Sequence, residues 1–225
     1  MTAAPADGAV NVVTALYLGT KTLHTEAERS GIIRDLLRGQ ASRDGYISYL
    51  RNLVPAYEQL ELGLARHQDT PALAELAAYN LDRAPAIKAD LVALCGDDWA
   101  DVPLLDEGAA YGDRIAETAA GDGSRLIAHA YARYLGDLSG GQILQRLLAK
   151  SPGLTPAQLT FYDFPLFPDL VTLKSGYRDA LARAGTLAVD PQGIIDEGGI
   201  AFTHNIAVSW AVQKALPEVT VAAAE

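Results

Sequence analysis

Apolar side chains along this chain recur at steps of three and four residues, and no stretch shows a convincing period-two alternation. Val13, Leu16, Thr20, Leu23 and Ala27 share one helical face. Ser42 is placed to cap a long helix to about His67, whose stripe is Tyr46, Leu50, Leu53, Tyr57, Leu60 and Leu64. Pro55 inside that stripe removes one backbone donor and should bend the helix. Thr70-Pro71 and Asp190-Pro191 read as helix starts, with proline at the first helical position. Gly96 and Gly185 read as helix stops. Further helices fit about 104–120, 124–150, 169–184 and 192–214. The expectation is an all-α fold of roughly eight helices in one domain over residues 1–225, with 1–8 and 217–225 as flexible ends. A chain of 225 residues is long enough to bury a core and still enclose a ligand.

Charge and cysteine content exclude several function classes. The formal net charge is -10 with no basic run, so a polyanionic nucleic acid would be repelled. A single cysteine, Cys95, rules out an intramolecular disulfide and a multi-cysteine metal cluster, which suits a reducing cytoplasm. The first twenty residues lack the positive region of a secretory signal, and no apolar run approaches the ~20 residues that span a bilayer. A soluble cytoplasmic protein is expected.

Residues 130–142, AYARYLGDLSGGQ, carry the strongest chemical signal. Strong helix flanks them, yet three glycines interrupt them, at a cost of about 1 kcal/mol each if the helix continues. Two readings stand. In one, Gly136 ends a helix and Gly140-Gly141 opens a loop. In the other, the helix passes close over a flat ligand, the missing Cβ atoms of Gly136 and Gly140 allowing backbone contact. These two glycines are four apart on one face, with Arg133 and Asp137 as a second such pair beside them. His24 and Glu28 are also four apart. The carboxylate can orient the imidazole, as partners of metal-ligating histidines do, but such pairs are common on helix surfaces too.

Taken together, HTEAE at 24–28, RDGY at 43–46 and YARYLGDLSGGQ at 131–142 resemble haem oxygenases of the bacterial and animal type. The similarity runs from about Leu16 to Asn205. It implies that His24 is the proximal ligand of the haem iron and Glu28 its hydrogen-bonding partner. Gly136 and Gly140 match the distal-helix glycines over the haem face. Asp137 matches the carboxylate that orders water near bound O2, and Arg133, Tyr57 and Asn205 match members of that polar network. Lys21, Tyr131, Lys174 and Arg178 match the groups that hold the haem propionates. A basic residue that some members carry one turn before Lys21 is Tyr17 here, read as a tyrosine packed on the first helix.

The resemblance implies that haem is both substrate and oxygen-activating cofactor. With O2 and external electrons the porphyrin is opened at a meso carbon, the α position preferred, yielding biliverdin, CO and iron. One cysteine cannot hold a cluster, so the electron donor must be a separate protein, a ferredoxin or an NADPH-dependent reductase. A monomer is expected. Among the other histidines, His67 reads as a polar helix end, and His129 and His204 as hydrogen-bonded core or cleft residues, with His129 the main rival to His24. The alternatives weighed are a haem carrier or sensor without turnover, a di-iron bundle and a Cys95 nucleophile. The bundle lacks its Glu-x-x-His motifs, and Cys95 has no evident base.

Overall fold

Local sequence explains most helix boundaries in the computed structural model, which describes residues 11–150 and 154–217. Asn11 caps α1 (Val12–Arg29) by accepting from Thr14 N at 3.1 Å. Ser30 separates α1 from α2 (Gly31–Leu37), a short helix the periodicity does not announce. Ser42 caps α3 (Arg43–Arg66) through Gly45 N at 3.0 Å. Then come α4 (Ala74–Ala78), α5 (Ala84–Cys95) and α6 (Asp106–Thr118). Asp169 caps α9 (Leu170–Leu187), and Asp190 caps α10 (Pro191–Ala215) through Gly193 N at 2.9 Å. Between α6 and α9 lie α7 (Leu126–Ala130) and α8 (Gln142–Leu148), joined by the glycine-bearing segment. No strand occurs among the described residues. None of the helices is long and apolar enough to cross a membrane. The expected flexible ends fall, apart from Pro217, outside the described residues.

Three readings of punctuation are corrected. Thr70-Pro71 does not begin a helix. The Thr70 hydroxyl turns back to donate to His67 O at 2.8 Å, and α4 starts only at Ala74. Gly185 does not end α9, which runs on to Leu187; a Cβ there would stand 2.5 Å from Val12 Cβ, so the missing side chain lets α9 cross α1 closely. The Gly136–Gly141 stretch is neither a helix end nor a loop. The chain stays helical through π turns at Tyr131–Leu135 and Asp137–Gly141, with Gly136 at φ -60° and ψ -48°. Gly96, by contrast, does end its helix, at φ 89°.

One connected hydrophobic core runs from Val12 through Tyr57, Tyr111 and Tyr177 to Val212. Helix α3 passes through Pro55 at its centre. α6 lies against that proline through Gly112, where a Cβ would be 2.7 Å from Pro55 Cβ. α1 packs along α10, Gly198 lying against Leu16 and the His24 ring against Phe202.

Candidate functional site

His24 is the most exposed of the four histidines and keeps one imidazole nitrogen unbonded. His24 on α1 has a side chain 58% exposed; its Nδ1 faces Glu28 Oε1 at 3.7 Å and its ring leans on Phe202 with centroids 5.7 Å apart. Its Nε2 makes no hydrogen bond among the described residues. The other three are committed elsewhere. His129 is fully buried with Nε2 3.0 Å from Glu197 Oε1. His204 stacks on Tyr111, rings 5° from parallel and 5.3 Å apart. His67 stands at the C-terminal end of α3, as expected, but it is buried: its Nε2 is 2.8 Å from Ala119 O, and Gly123 lies close against its ring.

The π-turned segment carries bare backbone at two positions. A Cβ built on Gly136 or Gly140 meets no atom within 4 Å, whereas one on Gly141 would come 3.3 Å from Tyr162. Two of the three glycines therefore open onto free space. π turns widen the helix and often mark functional sites.

Beside those glycines a polar network is buried. The Tyr57 hydroxyl donates to Asp137 Oδ2 at 2.7 Å and accepts from Arg133 Nε and Nη2 at 3.0 and 2.9 Å. Arg133 Nη1 donates to Asn205 Oδ1 on α10, and Asn205 Nδ2 donates to the Tyr111 hydroxyl at 3.2 Å. Burial pushes the Asp137 carboxyl up to about 6, against the pull of Arg133 and the Tyr57 hydrogen bond. Burial opposes the Arg133 charge, but Tyr57, Tyr49 and Asp137 around it more than restore it. α10 connects the two sides, since Phe202 meets His24 and Asn205, three residues on, meets Arg133.

The four residues read as propionate holders divide into two kinds. Lys21, Lys174 and Arg178 are exposed, and none is paired with a carboxylate among the described residues. Tyr131 is half-buried, with Thr20 of α1 and Arg178 of α9 near its hydroxyl. Tyr17 is 53% exposed, not packed away as expected, because the buried face of α1 is carried by Val13, Leu16 and Thr20. Cys95 is exposed at the end of α5, its Sγ donating to Leu91 O at 3.2 Å; burial pushes its thiol up, which disfavours a nucleophile.

Sequence reasoning missed Tyr111 and Tyr49 as members of the network. Both lie on apolar helical stripes where a tyrosine reads as core, and no spacing marks their hydroxyls as reaching Arg133 and Asn205.

The profile of the haem oxygenase family matches residues 10–211. The chain belongs to the haem oxygenase family. It is 33% identical over 198 residues to haem oxygenase 1 of Synechocystis sp. PCC 6803, covering 88% of this chain and 82% of that one. It is 34% identical over 209 residues to human haem oxygenase 1, covering 90% and 72%. The crystal structure of the Synechocystis haem oxygenase-1 in complex with haem superimposes with a TM-score of 0.84 at 32% identity, over 91% of this chain and 93% of that one. A TenA homologue from P. horikoshii at 12% identity shares the fold with a TM-score of 0.69. The helical scaffold is thus wider than the haem oxygenase family, and the chemistry is decided by the residues in the site.

Proposed function

We propose that this chain is a haem-degrading oxidoreductase: it binds haem and, with O2 and electrons supplied from outside, converts it to biliverdin, CO and ferrous iron. The observation that carries this reading is the combination of one free histidine nitrogen with bare glycine backbone over open space and a buried carboxylate beside it. A carrier needs only the first two features. A carboxyl held near 6 next to Tyr57 and Arg133 is a proton-handling group, and simple binding has no use for it.

His24 is assigned as the iron ligand through Nε2, with the Glu28 carboxylate 3.7 Å from Nδ1 favouring a proton on that nitrogen and so the tautomer. A neutral imidazole suits this chemistry better than a thiolate, which favours early O–O scission. The haem iron, once bound, supplies the activation of O2. Gly136 and Gly140 let the ring lie against the distal backbone, and their lack of side chains leaves room beside it for a small diatomic ligand and water. Asp137, its carboxyl pushed up to about 6, can take up a proton near neutral pH and pass it to an ordered water. Tyr57 and Arg133 fix its carboxyl and resupply the hydrogen bond. Lys21, Tyr131, Lys174 and Arg178 hold the propionates at the rim by charge-assisted contacts. The electron donor is a ferredoxin or an NADPH-dependent reductase, and the protein acts as a cytoplasmic monomer of one domain. Adding haem and a reductant in air and following the absorption band of biliverdin tests the reading; haem that binds but persists unchanged through many turnovers' worth of reductant refutes it.

A further inference from the structure

Directly below the Arg133–Asn205–Tyr111 layer, the same three helices build a second polar layer. α6 contributes Tyr111 to the first and Arg114 to the second. α7 with its π continuation contributes Arg133 and, one turn earlier, His129. α10 contributes Asn205 and, two turns earlier, Glu197. In the second layer His129 Nε2 lies 3.0 Å from Glu197 Oε1, and Arg114 clasps the same carboxylate through Nε at 2.9 Å and through Nη2. Arg114 then reaches out to the exposed Glu117 at 3.1 Å. His129 and Glu197 are buried almost completely.

This arrangement settles the proton on His129. The pairing with His129 and Arg114 overcomes burial and holds the Glu197 carboxyl down at about 2, so it is ionised and can only accept. Nε2 must therefore be the donor. Burial, with Arg114 and Arg133 close by, holds the imidazole below its ordinary value and neutral, which leaves Nδ1 a bare acceptor. That atom is buried with no hydrogen-bond partner among the described residues. Orphaned buried acceptors of this kind are normally met by a trapped water. The groups around the ring are Glu197 and His204 from α10, Arg114 and Tyr111 from α6, and Arg133 from its own helix. Of these, Tyr111 carries a hydroxyl proton that no described residue receives. Its ring lies 5.8 Å from the imidazole, and its hydroxyl accepts from Asn205 without donating onward to any described residue.

We infer that one water held between His129 Nδ1 and the Tyr111 hydroxyl joins the two layers, making His129 a positioning residue for the distal network. Through it Tyr111, Asn205, Arg133 and Asp137 are tied to the Glu197–Arg114 pair and to the outer surface. The functional consequence rests on the haem-degrading reading; the water site does not.

The test begins with the haem-free, full-length protein labelled with 15N-histidine and titrated from about pH 5 to about pH 8. Towards neutral pH His129 is expected to carry its proton on Nε2, with Nδ1 resonating as a hydrogen-bonded acceptor. Tyr111→Phe should move Nδ1 to the position of a bare lone pair and leave Nε2 unchanged. A proton found on Nδ1, or an Nδ1 signal indifferent to Tyr111→Phe, overturns the water bridge. Positioning is read from the Asp137 carboxyl by 13C titration in Glu197→Gln and His129→Phe. The midpoint should shift by about half a pH unit. With haem, biliverdin turnover should fall about tenfold at a haem KM within about twofold of wild type. A folded Glu197→Gln protein with the wild-type Asp137 midpoint overturns the positioning role. Should wild type itself make no biliverdin, the haem-degrading reading fails while both magnetic resonance tests still decide this inference.

Discussion

Replacing Gly136 and Gly140 by alanine should move apo-protein stability and haem affinity in opposite directions. Both glycines sit in continuous helical backbone, and a Cβ at either meets nothing within 4 Å in the haem-free chain. Alanine gains about 0.5–1 kcal/mol over glycine in a helix interior, so the double variant should gain about 1–2 kcal/mol without haem. For a chain of this size each kcal/mol raises Tm by about 2–4 °C, an increase of roughly 2–8 °C in all. With haem the sign reverses, because each methyl now stands where the ring must lie. Overpacking of this kind costs about 1–3 kcal/mol, which corresponds to a fall in haem affinity of roughly 5- to 150-fold. Gly112→Ala is the control. Its Cβ would press on Pro55 at 2.7 Å and on the Pro55 carbonyl at 3.3 Å, a wall that cannot yield, so it should destabilise the protein with and without haem. Calorimetry of the haem-free protein and optical titration with haem measure the two quantities separately. A double variant that melts several degrees lower, or that binds haem as tightly as wild type, would refute the role given to the glycines.

His24→Ala should leave the haem-free fold intact, since the side chain is largely exposed, but abolish the histidine-ligated haem spectrum until imidazole is added. Retention of that spectrum in His24→Ala and its loss in His129→Ala would reverse the assignment. The Asp137 carboxyl, raised from 3.8 to about 6, binds its proton more tightly folded than unfolded. Its stabilising contribution is therefore full below about pH 4 and lost as pH rises through 6, an effect of roughly 3 kcal/mol. Urea unfolding of wild type and Asp137→Asn at both ends of that window should diverge by about this amount, and parallel curves would contradict it. Glu197 behaves oppositely: held at about 2 from 4.5, it stabilises the fold above pH 4.5, and roughly 3 kcal/mol is lost as pH falls through 2. Glu197→Gln should flatten that acid limb, and an unaltered limb in the variant would argue against the pairing. Lys174→Ala/Arg178→Ala should convert a predominantly α-biliverdin product into a mixture of isomers, because a bias of about 1.4 kcal/mol is enough to shift a two-orientation equilibrium tenfold. Chromatography that shows pure α product from the double variant would remove these residues from ring orientation.

Much of this protein was legible along the chain because helices are local objects. Their apolar period is written in residues three and four apart, and their ends in single side chains such as Ser42 and Asp190, whose oxygens meet backbone N–H groups three residues on. The same locality placed His24 beside Glu28, Arg133 beside Asp137 and Lys174 beside Arg178, each pair one turn apart. What those residues face was decided only by folding. Nothing near His129 in sequence announces Glu197, 68 residues away, yet that bond ties up Nε2, and burial keeps the rest of the ring from an external ligand, while His24 stands exposed. Tyr57 and Asp137, 80 residues apart, become a hydrogen-bonded pair only when α3 and the π-turned helix pack together. The glycines show the same division. Gly96 ends a helix, Gly185 admits the side of α1 and Gly140 opens onto empty space, and the residue type is identical in all three. A glycine's local freedom is fixed by chemistry, but the use made of it depends on which distant segment, if any, arrives above its Cα, and that is set by tertiary packing.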